Sequence, residues 1–119
     1  LAAVAGVLTA FGFTVTTAAD YASGRACLVG QPSPDLVVSD LKLDAQHSGW
    51  DLIRLALDGG PKTRAIAMST HLPATESINP GDTGRFAQLE KPISIPELAQ
   101  VLRRFSFRVA EPISDGAEA

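Results

Sequence analysis

Pro34-Asp-Leu-Val-Val-Ser-Asp40 reads as a turn that runs into a short apolar strand and stops at an acid. So brief an apolar run, with Pro32 and Pro34 before it and the polar loop Lys42–Ser48 after it, predicts a strand buried on both faces, as in parallel sheets. Two runs of the same kind follow: Arg64-Ala-Ile-Ala-Met-Ser69 and Phe86-Ala-Gln-Leu-Glu90. Between the first two, Trp50 to Leu57 has the composition of a helix, preceded by Gly49 and ended by Gly59-Gly60-Pro61. Upstream, Asp20 can cap a helix that reaches about Val29 and ends at Gly30. Phe13 to Thr17 alternates and is β-branched, which predicts another strand. Leu1 to Ala10 reads as a helix with Gly12 as its stop. Downstream, Ile95-Pro96-Glu97 opens a helix whose apolar face is Leu98, Val101, Leu102 and Phe105. In 70–84, Pro73 can sit in a first helical turn, but Pro80 and Gly81 keep any helix there short. The resulting alternation of helix and strand predicts an α/β fold, a parallel sheet with helices on both faces and right-handed crossovers. No internal repeat is visible.

The 119 residues suffice for one domain with a single core, taken as 1–105, with 106–119 as a flexible tail. A net charge of −3 gives no electrostatic reason to expect direct contact with nucleic acid or an anionic membrane. No apolar run approaches the ~18 residues of a membrane span. The apolar start resembles a signal-peptide core but lacks a basic flank, and its pattern favours a helix of the folded domain. The lone Cys27 cannot form an internal disulfide, which fits a reducing, cytoplasmic setting; it reads as a helix core residue.

Ligands of open parallel sheets bind at the carboxyl ends of the strands, so residues at those ends matter most. They are Asp40, Ser69 and, just past the last strand, Lys91. Acid, hydroxyl and ammonium together are what reversible phosphorylation of a carboxylate needs. Asp40 would be the nucleophile, Lys91 a point charge for the phosphoryl oxygens and Ser69 a hydrogen-bond donor to one of them. Catalysis is then mostly positioning and charge neutralisation. A divalent cation would neutralise the remaining charge, and Mg²⁺ suits carboxylate, carbonyl and water ligands.

The stretch PDLVVSDLKL, a glycine nine residues after the acid, then AIAMST and LEKPISIPEL, resembles the receiver domain of two-component response regulators. Each motif is weak alone; the order and spacing are specific, with Ser69 29 positions after Asp40 and Lys91 22 after Ser69. The resemblance runs from LTAFGFTVTTAAD to PELAQVLRRF. It implies a flavodoxin-like, doubly wound three-layer fold with strand order 2-1-3-4-5. It implies Asp40 as phosphoacceptor, Ser69 as switch hydroxyl, and Lys91 as phosphoryl ligand before a cis proline bond. The metal would be held by Asp40 and the Lys42 backbone carbonyl. The phosphoryl group would come from a sensor histidine kinase or a histidine phosphotransfer protein, and the domain would be a switch rather than an enzyme, with a homodimer possible. The family's first strand and its pair of metal-binding acids would precede Leu1; the sequence therefore reads as N-terminally incomplete. A degenerate pseudo-receiver, acting as an interaction or dimerisation module without phosphorylation, is the alternative. A small hydrolase ranks last, because no nucleophile–His pair is recognisable.

Other residues have plainer readings. Gln88 stands where the family's switch aromatic sits, and Phe86 reads as a core or edge residue. Thr70 lies beside the pocket, Asp44 is a loop acid before it is a metal ligand, and His47 and His71 have no ligand spacing. Trp50 reads as packing. Phe105, Phe107 and Val109 alternate with polar residues, which allows a strand, although a frayed helix end with its aromatics tucked onto the core is preferred.

Overall fold

The computed structural model describes residues 2–30, 34–42, 48–59, 62–70 and 84–110. The elements in chain order are α1 (Ala2–Ala10), α2 (Tyr21–Val29), β1 (Leu36–Asp40), α3 (Gly49–Gly59), β2 (Arg64–Ser69), β3 (Phe86–Glu90) and α4 (Ile95–Arg104). The chain divides into two compact units, residues 18–93 and residues 1–17 with 94–119. No helix among the described residues is long and apolar enough to cross a membrane. The possible helix in 70–84 falls mostly outside the described residues, as do Asp44, His47, His71 and the tail beyond Ala110.

In unit 18–93 the three strands lie parallel in the order β1-β2-β3, giving the α/β arrangement expected. The register sets Asp40 beside Met68 and Ser69 beside Glu90. Successive side chains of a strand alternate between faces. Ala65 and Ala67 of β2 therefore cluster with Trp50, Ile53 and Leu57 of α3, with Leu41 and Phe86 at the rim. Ile66 and Met68 leave the opposite face and are 0% and 2% exposed. Burial on both faces holds for β2 but not for β1, whose Leu36, Val37 and Val38 are only half-buried. The cause is position, since among the described residues β1 is an outer strand with a neighbour on one side.

Helix α2 starts on a capping box. The Asp20 carboxylate accepts the Ser23 N–H at 2.9 Å while the Ser23 hydroxyl faces the Asp20 N–H. Its inward stripe is Tyr21, Gly24 and Leu28. Cys27 is exposed, not a core residue: at about 100° per residue it lies well round the helix from Leu28. At the amino ends of the strands, the Thr63 hydroxyl donates to the Pro34 carbonyl at 3.1 Å. The Arg85 guanidinium donates to the carbonyls of Thr63 and Leu57, the latter one of the unpaired carbonyls at the end of α3.

The other unit holds α1 and α4, which end in the same way. Both close with Leu-x-x-Phe-Gly/Ser-Phe: LTAFGF at Leu8–Phe13 and LRRFSF at Leu102–Phe107. The N–H of Phe13 donates to Leu8 and that of Gly12 to Thr9; the N–H of Phe107 donates to Leu102 and that of Ser106 to Arg103. This is the Schellman pattern, which needs a left-handed residue after the cap, here Gly12 (φ 104°) and Ser106 (φ 71°). Leu8, Phe11, Leu102 and Phe105 are buried, and the rings of Phe13 and Phe107 meet edge-on with centroids 5.5 Å apart. The hexapeptide is thus a short internal similarity, against the expectation of no internal repeat. A strand over 105–109 does not form; its aromatics pack on the core, as preferred. Ser106 holds a conformation that costs an L-residue energy and a glycine none. Ser106→Gly should raise stability by about 0.5 kcal/mol, the relief being partly offset by glycine's greater unfolded freedom, and the urea midpoint would show it.

Phe13 to Thr17 is not a strand, against expectation. Its burial alternates, but a strand is stabilised by a ladder partner, and none pairs with it among the described residues. Helix α4 matches expectation. Ser94 caps it by accepting the Glu97 N–H at 3.3 Å, Pro96 lies in the first turn, and Arg103 and Arg104 occupy the last turn, where the dipole favours cations.

Candidate functional site

The carboxyl ends of β1, β2 and β3 all belong to unit 18–93. Asp40 ends β1 next to Met68, which in turn pairs with Leu89 of β3. Lys91 lies two residues past Leu89 and so shares its side of the sheet. Neighbouring strands are about 4.8 Å apart, so a lysine stem is long enough to reach over the end of β2 to β1. It does so: the Lys91 ammonium and Asp40 Oδ2 form an ion pair. The other carboxylate oxygen, Oδ1, accepts the backbone N–H of Lys42 at 2.9 Å. Burial pushes the Asp40 carboxyl up, but the hydrogen bonds from Lys91 and the Lys42 N–H, with the lysine's charge, outweigh it. The group lies below its ordinary value of 3.8. It is an ionised, oriented carboxylate with a cation already at its side.

Ser69 closes β2 at the same end of the sheet, half-buried, and its carbonyl accepts the Lys91 N–H at 2.8 Å. That bond ties the residue before the proline to the end of the central strand. The Lys91–Pro92 bond is cis. Thr70 follows and is exposed. The structure thus joins Asp40 and Lys91 side chain to side chain and brings Ser69 to the same strand ends.

Lys42 enters through its N–H, a role the sequence reading did not foresee. It also forms an antiparallel bridge with Ser48, which brings the two ends of the intervening loop together. Ser48 then starts α3, its N–H donating to the Asp51 carboxylate at 3.2 Å. The Gly49 N–H donates to the Leu41 carbonyl at 3.0 Å, which sets the first turn of α3 against the end of β1. Trp50 packs as expected, its ring 5.5 Å from that of Phe86, with the Arg54 guanidinium over it.

The described residues fit Mg²⁺ poorly. No group of three His, Cys, Asp or Glu that could hold a metal occurs among them, and both Asp40 oxygens already have donors. Compared with known proteins, the chain matches no family model and no curated protein.

Proposed function

We propose that the chain is a phosphoacceptor receiver of the two-component type, with a flavodoxin-like fold, taking a phosphoryl group on Asp40. The observation that supports this best is the ion pair of Asp40 with Lys91 across the end of the central strand. In the transfer, an Asp40 oxygen attacks phosphorus. A P–O bond to the carboxylate forms as the P–N bond of a phosphohistidine breaks, and the departing imidazole keeps that electron pair. Lys91 turns from the carboxylate to the phosphoryl oxygens and neutralises their charge. The Ser69 hydroxyl then donates to one of those oxygens and carries the change to a binding surface. The donor would be a histidine kinase or a phosphotransfer protein.

Incubation with acetyl phosphate and Mg²⁺, followed by intact-mass measurement, tests the reading. The wild type should gain one phosphoryl group and Asp40→Asn none; no gain in the wild type, or an equal gain in the variant, rejects it. One observation favours a second reading. With both Asp40 oxygens occupied and no group of three His, Cys, Asp or Glu fit to hold a metal among the described residues, the pair can serve as a fixed structural link in an interaction module. On that reading the wild type gains nothing.

A further inference from the structure

We infer that Gly49 and the Ser39 hydroxyl are positioning elements: together they fix the backbone of Asp40 so that its carboxylate meets Lys91 and the Lys42 N–H. The consequence for phosphoryl transfer rests on the function proposed above; the positioning itself does not. A Cβ built on Gly49 would lie 2.1 Å from the Asp40 carbonyl oxygen and 2.8 Å from both the Asp40 carbonyl carbon and Ser39 Oγ. No side chain tolerates the first of these distances, so any residue but glycine must push α3 and the end of β1 apart by about 1.4 Å to restore an ordinary contact of about 3.5 Å.

Neither side yields easily. The Gly49 N–H is bonded to Leu41, and Trp50 and Ile53 are locked in the core against β2. Ser39 is 3% exposed and shares the α3 side of the sheet with its register partner Ala67. Its hydroxyl donates to the Asp40 carbonyl at 3.1 Å. The Asp40 peptide is thus held by a hydroxyl and by the bare Cα of a glycine. Its side chain leaves toward the opposite side of the sheet, where Lys91 arrives. A buried serine and a bare helix start at the acid have one economical explanation, a nucleophile whose backbone cannot drift. Displacement of a reacting group by about 1 Å costs on the order of 100-fold in rate.

The full chain serves for the test, with Gly49→Ala, Ser39→Ala and, as a control that loosens α3 without touching Asp40, Ile53→Val. The Lys42 amide proton is bonded to the Asp40 carboxylate, so its NMR shift reports where that carboxylate lies; Asp40→Ala supplies the shift without the bond. Gly49→Ala and Ser39→Ala should move the Lys42 amide toward the Asp40→Ala position, the former further, while Ile53→Val leaves it in place. The rate of phosphoryl uptake should fall about 100-fold in Gly49→Ala, at an unchanged half-saturating donor concentration. A folded Gly49→Ala whose Lys42 amide stays at the wild-type position overturns the inference. Should Gly49→Ala not fold, an unmoved amide in Ser39→Ala overturns it equally. If the wild type takes up no phosphoryl group while the amide moves as expected, the positioning stands and the acceptor reading falls.

Discussion

Lys91→Met is expected to lower phosphoryl uptake on Asp40 by about 100-fold or more, the usual consequence of removing one preorganised donor from developing charge. Methionine keeps most of the stem and removes the cation, so the loss is electrostatic. The same variant has a signature in stability. In the wild type the Asp40 carboxyl lies below 3.8, so the fold favours its ionised form. That contribution is fully present above 3.8 and is lost as pH falls through the lower, folded value. In Lys91→Met the burial that pushes the group up remains while its largest opponent is gone. The variant should therefore be less stable than wild type near neutral pH, with the gap closing on acidification below about pH 4. Because the Lys91 side chain is 36% exposed, solvent screens the pair, and the gap should be no more than about 1 kcal/mol. Urea midpoints at pH 7 and pH 3 decide the matter; a gap that widens in acid would mean that Asp40 is not held ionised by Lys91.

Ile66→Ala should have the largest effect on stability, a loss of about 3–4 kcal/mol. Ile66 is fully buried at the middle of the central strand, on the face away from α3. Its neighbours in sequence are alanines that face the other way, so nothing on β2 can swing round to fill the space. Against a typical total of 5–15 kcal/mol, that loss leaves the unit marginal at 37 °C. Leu36→Ala, on the half-exposed outer strand, should cost only about 1 kcal/mol. Urea unfolding followed by Trp50 fluorescence compares the two. Equal losses would mean that β1 is as enclosed as β2.

What could be read from the residues divides along physical lines. The spans of β1, β2 and β3 were legible because each is a short apolar run between proline, glycine or polar breakers, and such a run has one good use in a parallel sheet. Phe13 to Thr17 carries the same local signal and fails, since pairing belongs to two segments and its alternation describes one. Cys27 was misplaced because α2 has little amphipathic contrast, and a helix of small residues does not declare its inward side. The stop at Ser106 was hidden because a left-handed serine looks like any other serine. At the site, Asp40 and Lys91 were legible as strand ends, and strand order did the rest. The roles of Gly49 and the Lys42 N–H were not, because they depend on a backbone contact that spacing suggests and only coordinates display.

The sheet has one more property that follows from its ordering. Among the described residues its two outer strands each leave a row of backbone groups without a ladder, and they are unlike in sequence: Leu36-Val-Val-Ser-Asp40 on one flank, Phe86-Ala-Gln-Leu-Glu90 on the other. Like flanks can close into a two-fold pair, whereas unlike flanks join head to tail and leave a fresh end after every addition. Neither flank carries lysine or proline within its strand, the residues that commonly blunt such growth. Two copies that meet through the same flank close a pair and stop, whereas a β1 flank laid on a β3 flank leaves an end that can grow.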